Sequence, residues 1–132
     1  MEENDLPEQV NEVRIRGRVS GPPRHRRIPS GDEVVSIRIS VPRPDVGTDA
    51  PGRNRPNVDT VDCVTRDRAL QSVMNGLGTD EYVFVAGALR RRCWRAGGVV
   101  ASVVEVEVSR LRRVPAPGAG IKDRSPLLAS DA

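Results

Sequence analysis

A small all-β barrel is the fold class this sequence predicts. Three observations carry that expectation: short runs in which apolar and charged residues alternate, Gly- and Pro-rich punctuation between the runs, and an apolar content dominated by Val and Ile. With 132 residues the chain has room for one domain and its tails, and not for two.

The first expected strand covers residues 13–19, where Val13, Ile15, Gly17 and Val19 alternate with Arg14, Arg16 and Arg18. A period of two with opposite characters on the two faces is the mark of a half-buried strand. Gly17 inside it predicts a bulge or a sharp bend. A basic loop with Arg24, Arg26 and Arg27 follows, then the turn signal Pro29-Ser30-Gly31-Asp32. The second strand, residues 34–41, sets Val35, Ile37, Ile39 and Val41 on one face, and Pro42 and Pro44 end it. From there to Asn57 lies a loop of about fifteen residues, a length that is uncommon and usually mobile or functional.

Residues 58–65 form the third strand, with Val61 and Cys63 facing inward and Thr60, Asp62 and Val64 outward. Asp67 then stands at a helix N-cap position. Ala69, Leu70, Val73, Met74 and Leu77 follow at helical spacing, and Gly76 and Gly78 stop the helix. The fourth strand, residues 82–94, ends in an arginine run. Ala96-Gly97-Gly98 signals a hairpin, and the Val-rich fifth strand covers residues 99–111. The order is three strands, one short α-helix between strands 3 and 4, then two strands. That is the order of a five-stranded OB-fold barrel. Pattern alone leaves a sandwich or an SH3-like barrel open. The domain is bounded at residues 11–114, between a disordered acidic leader (1–10) and a flexible Pro-, Gly-, Ala- and Ser-rich tail (115–132).

Charge narrows the function. The formal net charge is +3, carried by arginine, with Lys122 the single lysine. Arginines cluster at Arg14, Arg16 and Arg18, at Arg24, Arg26 and Arg27, and at Arg90, Arg91, Arg92 and Arg95. Basic stripes of this kind suit a polyanion. A GC-rich genome also enriches arginine, but that explains single residues better than clusters. Cys63 and Cys93 are expected to be reduced and packed, in a cytoplasmic chain without signal peptide or membrane span. Two cysteines and His25 cannot build a zinc site of the usual spacing. Without a phosphate-cradling Gly-rich loop, a nucleophile elbow or paired metal ligands, the sequence predicts no enzyme, no metal and no cofactor.

Local sequence then adds a resemblance. Asn11-Glu12-Val13-Arg14-Ile15-Arg16-Gly17 resembles the opening of bacterial single-stranded-DNA-binding proteins, and Ile28-Pro29-Ser30-Gly31 their first hairpin turn. The run from Val83 through Gly87-Ala88-Leu89-Arg90-Arg91-Arg92-Cys93-Trp94 is similar to the family's Gly-x-Leu-Arg-x-Arg-x-Trp strand, and Glu107-Val108 and Leu111 to its last strand. The resemblance implies an OB fold that binds single-stranded DNA without reading sequence, by cationic contacts to phosphates and by aromatic stacking. It implies roles in replication, recombination or repair in the nucleoid, and a homo-oligomer, dimer or tetramer. Carried over by position, Trp94 is the stacking residue, Arg90 and Arg92 contact phosphates or base faces, and Arg26, with its neighbours Arg24 and Arg27, lies in a basic loop of the interface. The rival account of Trp94 as a core residue fits poorly with its place in a run of arginines.

Several family features are missing. Thr60 stands at a stacking position, Asp62 where the family carries Arg, and Arg66 where another aromatic is usual. Arginine planes can stack on bases, so Arg66, Arg43, Arg53 and Arg55 are candidate substitutes. The acidic, Pro-Phe-ending recruiting tip is absent from Pro126-Leu127-Leu128-Ala129-Ser130-Asp131-Ala132. Arg14 and Arg16 would bring like charges together across a symmetric first-strand pairing. The expectation is a divergent paralogue with weaker, more salt-sensitive DNA binding. RNA is a second candidate ligand, and a protein-contact or primosome-type assembly module the alternative role.

Overall fold

The computed structural model describes residues 7–44 and 57–118. Its elements are β1 (Val13–Val19), β2 (Arg24–Arg27), β3 (Glu33–Pro42), β4 (Val58–Thr65), α1 (Arg68–Asn75), β5 (Tyr82–Ala96) and β6 (Val99–Arg113). Hydrogen bonding runs β1-β5-β6-β4-β3-β2, and β1 also pairs with β3 through Arg18↔Ser40 and Val19↔Ile39. That second pairing closes β1, β5, β6, β4 and β3 into a ring of five strands. The expected barrel is present, with the helix between β4 and β5. One expectation needs amending: the basic segment before the Pro29 turn is not all loop. Arg24–Arg27 pair with Glu33–Ser36 of β3, so Arg24, Arg26 and Arg27 sit on a strand outside the ring.

Alternation decides which side chains fill the barrel. Val35, Ile37 and Ile39 of β3, Cys63 of β4, Val83 and Val85 of β5, and Val106 and Val108 of β6 are all buried, with Val19 from β1. Val61 packs against this cluster as a half-buried neighbour. Each fully buried Val or Ile contributes roughly 1.5–3 kcal/mol relative to exposure. Cys93 departs from expectation. It is exposed, because it lies on the part of β5 that projects past the ring.

The helix closes one end. Asp67 caps it by accepting a 3.1 Å hydrogen bond from the Leu70 amide, its apolar face puts Met74 against the core, and Leu77 follows just past its C-cap. Gln71 ties it to the barrel by donating to the Glu33 carbonyl at 2.8 Å, and Arg113 donates to the Gly76 carbonyl at 2.9 Å. Gly17 proves to be a close-approach site rather than a bulge. A Cβ there would lie 2.5 Å from the Ser40 carbonyl oxygen, where β1 crosses onto β3. The bulge falls instead between β5 and β6 at Ala86/Gly87. At the far end of the hairpin Gly97 (φ 58°) and Gly98 (φ 84°) make the two-residue turn that both positive angles require.

Candidate nucleic-acid interface

Register places most of the expected arginines on one outer face. On β2, Arg24 and Arg26 stand beside Ser36 and Val34 of β3. Across β3, Ser36 faces Val64 and Arg38 faces Asp62 on β4. Val64 in turn lies beside Glu107 of β6, and Arg90 and Arg92 of β5 lie opposite Glu105 and Val103. A cavity of about 300 Å³ opens on this face, lined among others by Arg26, Arg66, Arg90, Arg92, Glu105 and Glu107. Its floor is apolar, from Ile28, Val34 and Val64. Val34 and Val64 are buried on this face, where alternation alone predicts an exposed outer side, because β2 and the arginine stems cover them. A second, smaller hollow beside it is lined by Arg24, Arg38 and Asp62.

Charge inside this face is partly balanced. Arg90 Nε donates to Glu107 at 2.8 Å, Arg92 Nε to Glu105 at 3.4 Å, and Arg38 Nε to Asp62 at 2.9 Å. Asp62 therefore does not stand as a bare negative charge. It holds the Arg38 guanidinium, whose pKa its hydrogen bond and charge raise further. Arg24 and Arg26 have no carboxylate partner among the described residues. Their charge is available to a ligand. Trp94 is 41% exposed, two residues beyond Arg92 on the same face of β5. The Arg92 guanidinium lies 4.7 Å from the centre of its ring, a cation–π contact that holds the indole and leaves its exposed side for another partner.

Not every expected residue joins this cluster. Arg27 points to the other face of β2 and donates to the Gly31 carbonyl at 3.1 Å. Thr60 is exposed on the outer side of β4, opposite Ser40, outside the cavity. Arg43 pairs with Asp59 at 2.8 Å, where β3 ends and β4 begins. Arg53 and Arg55 lie outside the described residues. Arg38, Glu105 and Glu107 join this face without having been expected as site residues. Outward parity marks all three, but their pairing depends on a register the sequence does not state.

Comparison with known proteins places the fold. The family model described as the single-strand binding protein family matches residues 10–114. The chain belongs to that family. A search of the curated proteins found no match. Among solved structures, a Plasmodium falciparum SSB in complex with ssDNA is similar with a TM-score of 0.63 and 20% sequence identity. The match covers 83% of this chain and 99% of that one. At that identity the likeness speaks for the fold. This single-strand binding family member thus keeps the barrel of its relative while its outer face is built from arginine–carboxylate pairs around one tryptophan.

Proposed function

We propose that the chain binds single-stranded DNA without reading sequence, along the outer face of β2, β3, β4, β6 and β5. The observation that carries this reading is the gathering of Arg26, Arg66, Arg90 and Arg92 around one cavity, two residues from an exposed Trp94. Arg24 and Arg26 supply unpaired positive charge for phosphates, and Trp94 supplies a stacking surface. Arg90, Arg92 and Arg38 contribute by sharing their donors between a carboxylate and a phosphate, since each guanidinium carries five N–H groups. Such sharing weakens each contact and so supports weaker binding, and the scarcity of aromatic rings leaves a larger share of that binding to salt-sensitive phosphate contacts. No described helix is long and apolar enough to cross a membrane. Work in replication, recombination or repair, as a homo-oligomer, fits this ligand.

A second reading rests on a different observation. Leu89, Val100 and Val104 are exposed on the opposite face of the β5–β6 hairpin. Three apolar side chains on one projecting ribbon suit a protein contact, in line with an assembly module.

Trp94 is the sole tryptophan, so its fluorescence separates the two. Oligo-dT is expected to quench it at low salt, and Trp94→Ala to weaken binding, followed by anisotropy, about tenfold, the worth of one stacked base. Absence of both effects would favour the protein-contact role.

A further inference from the structure

The outer face of the β5–β6 ribbon continues past the cavity. Along β5 it runs from Trp94 through Arg92, Arg90, Ala88 and Ala86 to Phe84. Along β6 the outward residues are Glu105 and Glu107, and beyond the bulge they become Arg110 and Arg112. Register sets Arg110 beside Ala86 and Arg112 beside Phe84. On the other side of the same two residues β1 sets Arg14 and Arg16. Strand geometry spaces these four arginines about 7 Å apart along the strands and about 10 Å across them.

All four are exposed, and among the described residues none pairs with a carboxylate. Arg112 lies over the Phe84 ring at 5.4 Å. The contrast with the cavity is the informative point. There Glu107 and Glu105 offset Arg90 and Arg92; here no described carboxylate offsets any of the four arginines, which stand around an aromatic ring. A second copy of the chain would meet like charge on this face. An acidic protein surface would fit the charge alone. A nucleic-acid strand fits the charge and the unbroken ribbon that leads here from Trp94.

We propose that Arg14, Arg16, Arg110 and Arg112 form a second phosphate-binding surface, which takes the stretch of single-stranded DNA leaving the cavity along β5–β6. This rests on the DNA reading given above. Because the second contact is intramolecular once the first is made, it tightens binding of long strands only.

The test is anisotropy on labelled oligo-dT of about 4 nucleotides, the least that one OB barrel holds and too short to fill the cavity and reach the patch, and of about 40. The Arg14→Ala/Arg110→Ala protein is compared with wild type and with Arg26→Ala at several salt concentrations. The double variant is expected to bind the short strand within about twofold of wild type and the long strand about tenfold more weakly. Its salt slope for the long strand is expected to fall by about 1.4, from about 0.7 per lost phosphate contact on a single strand. Arg26→Ala is expected to weaken both lengths. Wild-type affinity of the double variant for both lengths, or equal weakening of both, overturns the proposal. So does unchanged DNA binding with new self-association in sedimentation, which would make the patch a device that keeps copies apart. If wild type binds neither length at low salt, the cavity reading fails, and this one with it.

Discussion

At the scale of single residues, two of the cavity arginines, Arg90 and Arg92, are halves of pairs, and that changes what their removal does. Arg90 neutralises Glu107 at 2.8 Å. On the proposed reading, Arg90→Ala takes away a phosphate partner and also exposes a carboxylate to the DNA, so it is expected to weaken binding roughly tenfold. Arg90→Ala/Glu107→Ala removes the repulsion as well, and anisotropy titrations should find it closer to wild type than the single variant. A double variant as weak as Arg90→Ala would mean that Glu107 takes no part. Which residues line the candidate site was only half legible beforehand. Arg26, Arg66, Arg90, Arg92 and Trp94 could be found because a family motif and charge clustering are local signals. Their carboxylate partners could not, since Glu105 and Glu107 look like ordinary solvated charges until the β5–β6 and β4–β6 registers bring them beside arginine.

At the scale of elements, alternation and turn chemistry foretold the five ring strands and the helix, whose Asp67 cap stands where the residue pattern put it. Arg24–Arg27 escaped because four consecutive basic residues have no apolar face. That strand exists only because β3 offers an edge to pair with. The bulge was missed for another reason. The inward residues of β6 are even-numbered at Val106 and Val108 but odd at Leu111, a switch of parity visible in the sequence once it is looked for. Gly87 belongs to that irregularity. A Cβ at this position would overlap the Glu107 backbone carbonyl, and backbone cannot move aside as a flexible side chain can. Gly87→Ala is expected to destabilise the domain by about 3 kcal/mol in denaturant unfolding. A loss below about 0.5 kcal/mol would show that the strands separate there without strain.

At the scale of the whole molecule, the barrel interior sets one response to pH. Burial, with a smaller push from the Asp62 charge, raises the Cys63 thiol from its ordinary value near 9 up to about 12. Below pH 9 the thiol is protonated in both the folded and the unfolded chain, so stability there owes nothing to this group. Above pH 9 the unfolded thiol ionises first and unfolding gains free energy, so stability is expected to fall between pH 9 and about 12. Cys63→Ala should flatten that fall in thermal melts, from a lower starting stability. The exposed Cys93 should meanwhile react with a thiol reagent in the native protein at pH 8, leaving Cys63 unmodified until unfolding. The β5–β6 irregularity acts at this scale too. Ser109 is the extra residue, unpaired in the ladder and donating its hydroxyl to the Ala86 carbonyl at 3.1 Å. It works like a one-letter insertion in a coded message. Deleting Ser109 would join Arg110 directly to Val108 and restore plain alternation, with both arginines still outward. A register that paired Ser109 with Ala86 would instead turn Arg110 and Arg112 into the hydrophobic interior and Leu111 out to water. One serine, left out of the pairing, thus keeps core and charged surface in phase on both sides of the bulge.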